Sequence, residues 1–323
     1  MRLRLVPQET NFNFFRFARV TFGASIVAMV LSIGIWLAMG LNFGIDFLGG
    51  TTLRVESTQE VVVGDYRAAL DPLGLGDVSI TEVFDPTFEA GRHVAMVRIQ
   101  AQEGQESVTP ETVNAVQDAL VAAIDPEMTF PSVESVGPKV SGELITTALL
   151  AVGISLAAIL IYIWLRFEWQ FSVGAVAALI HDVVLTIGVF SLLQIRFDLA
   201  TIAALLTIIG YSINDTVVIF DRLRENLRKY KKMPLVDVMN LSANETLSRT
   251  LMTSGTTLLA LLALLILGGD VIRGFVFAIF WGVIVGTYSS IYVAKNVVLM
   301  IGVKRDWSKP DGNAGTQFSN IDA

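Results

Sequence analysis

The residues best placed to do chemistry are acids in apolar surroundings. Asp215 stands in the run Leu199–Phe220, which is otherwise apolar enough to cross a bilayer. An ionised acid is costly there, and such residues usually face a bundle interior and mark ion or proton pathways. On a helix, Thr207, Tyr211, Asn214 and Asp215 recur at spacings of three or four, so this polar face is expected to turn inward. Asp215 lies about five residues from the middle of the run, roughly 8 Å from its midplane. The competing reading is a carboxyl at the interface, solvated from one side. Six residues further on, the chain becomes strongly basic.

Arg249 precedes a later apolar run, with Thr250, Thr253, Ser254 and Thr257 following at helical spacing. A long arginine pointing into a bundle could reach the depth of Asp215 and pair with its ionised form; protonation would then release it. Equally, it could be a basic residue that snorkels outward. His181 and Asp182 sit near the middle of a third run. They read either as a proton relay or as a neutral histidine and a hydrogen-bonded acid that knit helices together. Residues 44–51, Gly-Ile-Asp-Phe-Leu-Gly-Gly-Thr, supply Asp46, Gly49 and Gly50. No Lys-Ser/Thr follows to make a phosphate loop, so the stretch reads as a junction turn, and as a lever if the two regions it joins move.

Six apolar runs would position these groups. The first is Val20–Ile45, too long for the apolar part of a signal peptide and followed by no convincing cleavage site. The others are Leu144–Leu165, Phe171–Leu193, Leu199–Phe220, Thr250–Leu267 and Phe275–Ala294, each long enough to span. Gly282 and Gly286 form a GxxxG pattern in the last, which permits close helix approach but is also common by chance in membrane helices.

Residues 46–143 differ in kind. Thr51–Glu56, Val78–Phe84, His93–Gln100 and Phe130–Val136 read as strands, with Asp85, Pro86 and Gly91 as turn residues. Ser57–Glu60 matches a capping box opening a helix to Leu70, and Thr109-Pro110 opens another through Ile124. The order βαββαβ fits a small ferredoxin-like α+β domain.

The chain is 53% hydrophobic and 16% charged, as expected for a polytopic helical membrane protein. Its net charge of −7 is unevenly spread, because residues 46–143 carry five Lys/Arg against seventeen Asp/Glu. An acidic region of this kind argues against nucleic acid as a partner. With no cysteine, disulfides and thiolate metal sites are excluded. Sixteen basic residues fall on one side of the six-helix arrangement, in residues 1–19, 166–170, 221–249 and 295–323. The opposing short loops hold only Arg196 and Arg273. The positive-inside rule then puts both termini in the cytoplasm, 221–249 in a basic cytoplasmic loop, and 46–143 outside. Residues 303–323 have the composition of a disordered tail.

Taken together, several stretches resemble the SecF family, the smaller membrane subunits of bacterial SecDF protein-translocation complexes. They are residues 44–51, the seventeen-residue stretch 210–226, residues 247–257, Gly268-Gly269 and 286–291. The resemblance runs from the first helix to the sixth, and stretch 210–226 is highly specific. The related SecD subunits word that stretch differently and carry a much larger outer domain.

What the resemblance implies is half of an RND-superfamily bundle in the bacterial inner membrane, completed by six helices of SecD. No cofactor is implied beyond protons as the coupling ion. The implied partners are SecD, the SecYEG channel, YajC, the lipid bilayer and a translocating unfolded polypeptide. Asp215 matches the family's proton-carrying acid and Arg249 its essential arginine, with Asn214 beside them; His181 and Asp182 acquire no role from it. The expected function is not enzymatic: proton flow moves the outer domains and helps draw exported chains out of the channel. Its rivals are an RND-type exporter of small molecules or ions, a passive scaffold, and an intramembrane hydrolase, for which neither HExxH nor GxSxG is present.

Overall fold

The computed structural model describes residues 10–76, 78–83, 91–100 and 108–303. Six helices among them are long and apolar enough to cross a membrane. Between the first and the second lies a small α+β domain, so the expected architecture holds.

The domain is built from β2 (Gly50–Ser57), α3 (Val63–Leu70), β3 (Val78–Val83), β4 (His93–Ile99), α4 (Pro110–Ala123) and β5 (Thr129–Val136). Its sheet runs β3-β4-β2-β5, antiparallel throughout, which is the ferredoxin-like order. Alternate residues Leu53, Val55, Ala95, Val97 and Ile99 point to the face that α3 and α4 cover with Tyr66, Leu70, Val116 and Leu120. Thr109 caps α4 by accepting the Thr112 amide, with Pro110 at the first position.

The capping box expected at Ser57 is not there. Helix α3 starts only at Val63, behind Val62, which makes no side-chain cap. Ser57 instead ends β2, donating to Asp125 at 2.9 Å and accepting the Gln59 amide at 2.9 Å. A partner 68 residues away in sequence outcompetes the local pattern. Of the expected turn residues, Asp85 and Pro86 lie outside the described residues, as does the tail from 304.

The membrane helices are α1 (Ala18–Met39), α5 (Pro138–Arg166), α6 (Trp169–Leu193), α7 (Leu199–Lys229), α8 (Leu235–Leu267) and a last one in pieces. That last helix runs as α9 (Asp270–Ser289), a π-turn at Ser290–Ala294, and α10 (Lys295–Ile301). Helices α6, α7 and α9 form the inner layer, while α1, α5 and α8 are peripheral and largely uncovered.

Two boundaries differ from expectation. The first helix does not reach Ile45. Gly40 terminates it with positive φ, and β1 (Asn42–Phe43) and the one-turn α2 (Ile45–Leu48) follow. Nor is 221–249 a loop. Helix α7 continues to Lys229, residues 230–234 turn, and α8 begins at Leu235. Charge suggested a loop, but a helix leaving a bilayer can carry basic residues on its solvated end while Leu223, Leu227, Val238 and Met239 keep the two extensions packed.

Candidate functional site

The interior of the bundle is layered. At the domain end Phe190, Phe197, Ala204, Ile208, Val276 and Val283 form one apolar cluster. At the other end Phe171, Phe220, Leu223, Met239, Ala294 and Val298 form a second. Between them lie the buried polar groups.

Asp182 is in the middle of α6 and fully buried. Its Oδ2 accepts the Ser212 hydroxyl of α7 at 2.6 Å and the Ser289 hydroxyl of α9 at 2.9 Å. Its Oδ1 lies 3.0 Å from Nδ1 of His181. Three helices therefore meet on one carboxylate. His181 is also buried, stacks on Tyr288, and has no partner for Nε2 among the described residues. Tyr288 in turn donates to the Thr21 carbonyl of α1 at 2.9 Å.

Asp215 lies one turn beyond Ser212 on the same helix and is only 4% exposed. Its Oδ2 has no hydrogen-bond partner among the described residues. Ser254 and Arg249 of α8 face it, and Ser254 is held by Thr287 of α9 at 2.7 Å. No ion pair within 4.0 Å joins Asp215 to Arg249 among the described residues, and the guanidinium is exposed on the flank of α8.

The face expected to turn inward does so only in part. The buried side of α7 is Ile208, Ser212, Asp215, Thr216 and Ile219, the side α9 packs against. Thr207, Gly210 and Asn214 are exposed. Asp215 thus sits at the edge between the packed side and an open polar side.

The last helix explains how α7 and α9 come so close. A Cβ on Gly282 would collide with the Ile208 side chain, and one on Gly286 would stand 3.1 Å from Cβ of Ser212. After Gly286 the backbone changes hand-hold at the π-turn, a rare element often found at functional sites. Ser290 at its start bonds Thr216 at 2.8 Å. Lys295 just beyond it is fully buried, with Nζ 4.8 Å from the Phe14 ring centroid and 5.4 Å from that of Phe15. It is a residue of the packed core rather than a solvated charge at the helix end.

At the domain end, the 44–51 stretch is a joint. Gly49 and Gly50 both take positive φ, 71° and 123°, which favours glycine at the step from α2 into β2. Asp46 Oδ2 accepts the backbone N–H of Leu199, the first residue of α7, at 3.0 Å. Asp198 completes that cap by accepting the Thr201 amide at 2.9 Å. The parallel pair of β1 with β6 (Arg196–Phe197) runs alongside. Arg98 of β4 donates to the Phe43 carbonyl at 3.0 Å. Burial, and then the like charge of Arg196, press the pKa of Arg98 down, with Asp198 offsetting.

Sequence reading missed Ser212, Ser289, Ser290 and Lys295. The hydroxyls carried one usable signal, since Ser212 precedes Asp215 by one turn and so shares its face. Lys295 carried none beyond a lone charge at the end of an apolar run. Among the described residues no cluster of three or more His, Cys, Asp or Glu could hold a metal ion.

Comparison with known proteins adds an independent line. The family described as protein export membrane protein SecD/SecF, C-terminal, matches residues 116–304, and the SecD/SecF GG motif matches residues 34–61. Protein translocase subunit SecF of Cereibacter sphaeroides is 67% identical over 322 residues, covering 100% of this chain and 99% of its own. The Rhodobacter capsulatus subunit is 63% identical over 316 residues, covering 96% and 95%. The crystal structure of SecDF, a translocon-associated membrane protein from Thermus thermophilus, superposes with a TM-score of 0.82 at 39% identity. It covers 93% of this chain, which spans 40% of the length of that SecDF chain. SecDF in a super-membrane-facing form gives 0.67 over the same 93%, at 40% identity.

Proposed function

Because the chain belongs to the SecF family of multi-pass protein translocase subunits, we propose that it is a proton-motive-force-driven accessory subunit of protein export. In this reading Asp215 takes up and releases the proton, and Arg249 pairs with its ionised form in one arrangement of the bundle. SecD completes the bundle, and SecYEG and YajC are the further partners. The protein spans the bacterial inner membrane with both termini in the cytoplasm and residues 46–143 in the periplasm, where the domain assists late translocation of unfolded chains. Protons are the coupling ion; the role is mechanical, not enzymatic.

The observation that carries this reading is the position of Asp215. It is a nearly buried carboxyl with one oxygen unpartnered, at the margin of a polar face. Thr207, Gly210 and Asn214 on α7, with Arg249 and Thr253 on α8, are exposed in the single chain. Hydroxyl, amide and guanidinium groups on a membrane helix are disfavoured against lipid and favour cover by polar groups of another helix. A second half-bundle supplies that cover and places the open side of Asp215 at a subunit boundary. The two TM-scores at equal coverage, 0.82 and 0.67, fit a family fold with more than one arrangement.

The membrane potential contributes about 2.3 kcal/mol per charge per 100 mV, enough to bias a two-state bundle. Asp215→Asn keeps the shape and removes the titratable proton. In inverted membrane vesicles it should abolish the stimulation of export by the proton-motive force while leaving the unstimulated rate. Full stimulation in that variant would sink the proposal.

A further inference from the structure

The outer end of α7 is held by a residue from another part of the chain. A helix leaves its first amides without intrahelical partners. In α7 the amide of Leu199 is satisfied by Asp46, 153 residues earlier, and that of Thr201 by Asp198. Two carboxylates at this end also complement the helix dipole. Asp46 belongs to α2, and only Gly49 separates α2 from β2, which opens at Gly50 and is a central strand of the domain sheet. Other contacts hold the same joint. Gly44 N–H donates to the Phe197 carbonyl at 2.8 Å, Ser141 at the start of α5 donates to the Ile45 carbonyl at 3.2 Å, and Arg98 binds the Phe43 carbonyl. A Cβ on Gly44 would lie 3.1 Å from Arg196 and 3.3 Å from Cβ of Asp198, so the segments lie against each other.

We infer that Asp46 is the positioning residue that couples α7 to the outer domain, so that a shift of the helix carrying Asp215 passes through α2 and the glycine pair into β2. Asp215 is sixteen residues along the same unbroken helix, about 24 Å from the cap. A packed helix moves as a unit, so displacement at the carboxyl reaches the cap without a separate relay. The charged groups of this joint are Arg196 and Asp198, which pair at 3.8 Å beside Gly44, and Arg98, which donates to the Phe43 carbonyl. This inference rests on the proton-driven reading of Asp215.

The test uses the full chain assembled with its SecD partner. The chain has no cysteine, so single cysteines at Glu134 in β5 and Lys231 in the α7–α8 turn accept spin labels without a background from this chain, in complex with a cysteine-free SecD variant. The distance between them is measured at pH values above and below the titration of Asp215. That titration is followed as the carboxyl infrared band missing in Asp215→Asn. In Asp46→Ala the band should still titrate while the pH-dependent change in distance falls by roughly fivefold, the size expected for losing one cap in a two-state equilibrium. Asp46→Asn keeps a side-chain oxygen for the Leu199 amide and should restore most of the response, with thermal stability of both variants close to that of the unsubstituted protein. A normal distance change in Asp46→Ala overturns the inference alone, as does a loss in Asp46→Ala that tracks its thermal stability and that Asp46→Asn does not rescue. Absence of any pH-dependent distance change in the unsubstituted complex overturns the proton-driven reading and this inference with it.

Discussion

Asp182 and Asp215 are buried acids one helical turn apart in height, and they are built for opposite ends. Asp182 is surrounded, with hydroxyls of α7 and α9 donating to one oxygen and the His181 ring of α6 in hydrogen-bond contact with the other. Removing its side chain would leave two hydroxyls and an imidazole without this partner. Asp215 has one oxygen free and lies beside an exposed polar face. That oxygen is tied into no hydrogen-bond network among the described residues. A saturated carboxylate in a low-dielectric interior fixes helices in place. An unsaturated one at the edge of the packing is suited to exchange.

The comparison fails most visibly if the two acids tolerate substitution alike. Asp182→Ala removes one acceptor from three buried groups and should cost about 3 kcal/mol or more of stability, by the penalty for orphaned buried donors. Asp215→Asn should stay within about 1 kcal/mol. Denaturant unfolding of the two purified variants in the same detergent would measure the gap, and equal losses would end the distinction.

A smaller effect is expected where both sites depend on one contact. Gly282→Leu forces a side chain into Ile208 and should cost about 1–3 kcal/mol as an overpacked interface. Gly274→Ala is its control, since a Cβ there meets Arg196 and Ile195 at an ordinary 3.7 Å. Thermal unfolding of this pair separates close helix approach from the general presence of glycine.

The finest test uses an acid outside the membrane. Asp125 resembles Asp182 in being saturated: backbone N–H groups of Thr58 and Glu127, then the Thr58 and Ser57 hydroxyls, hold its pKa far below the usual carboxylate range. A depressed folded value contributes stability that is fully present above the unfolded value near about 4 and is lost as pH falls through the folded value. Thermal unfolding of the domain should therefore fall off below about pH 4. In Asp125→Asn that part of the acid sensitivity should vanish. An unchanged profile would show that saturation does not control a carboxylate's titration in this protein.

Much of the architecture was legible because periodicity is local. Apolar runs of spanning length and the alternation of Leu53, Val55, Val97 and Ile99 fix helices and sheet without reference to distant residues. Of the candidate site, only conspicuous charges were legible, as at Asp215, Arg249, His181 and Asp182. The rest depends on partners far away in sequence. Ser57 looked like a helix cap until Asp125 claimed it, and Asp46 gave no sign that it caps a helix beginning at Leu199. The inward face of α7 was misread because hydroxyl and amide groups mark two sides of that helix, and only the position of α9 decides which is packed.

The π-turn at Ser290–Ala294 amounts to one extra residue inserted into the sixth helix. Each residue turns an α-helix by about 100°, so the insertion lets the two halves of one helix address different surroundings. Before it, Ser289 points at Asp182; after it, Lys295 lies over Phe14 and Phe15. A single-codon deletion there would close the π-turn into ordinary α-helix, whereas one elsewhere in the helix would turn one half by about 100° against the other. The spacing between the acid layer and the aromatic seat of Lys295 is thus a matter of helical phase, which insertions and deletions alter more than substitutions do.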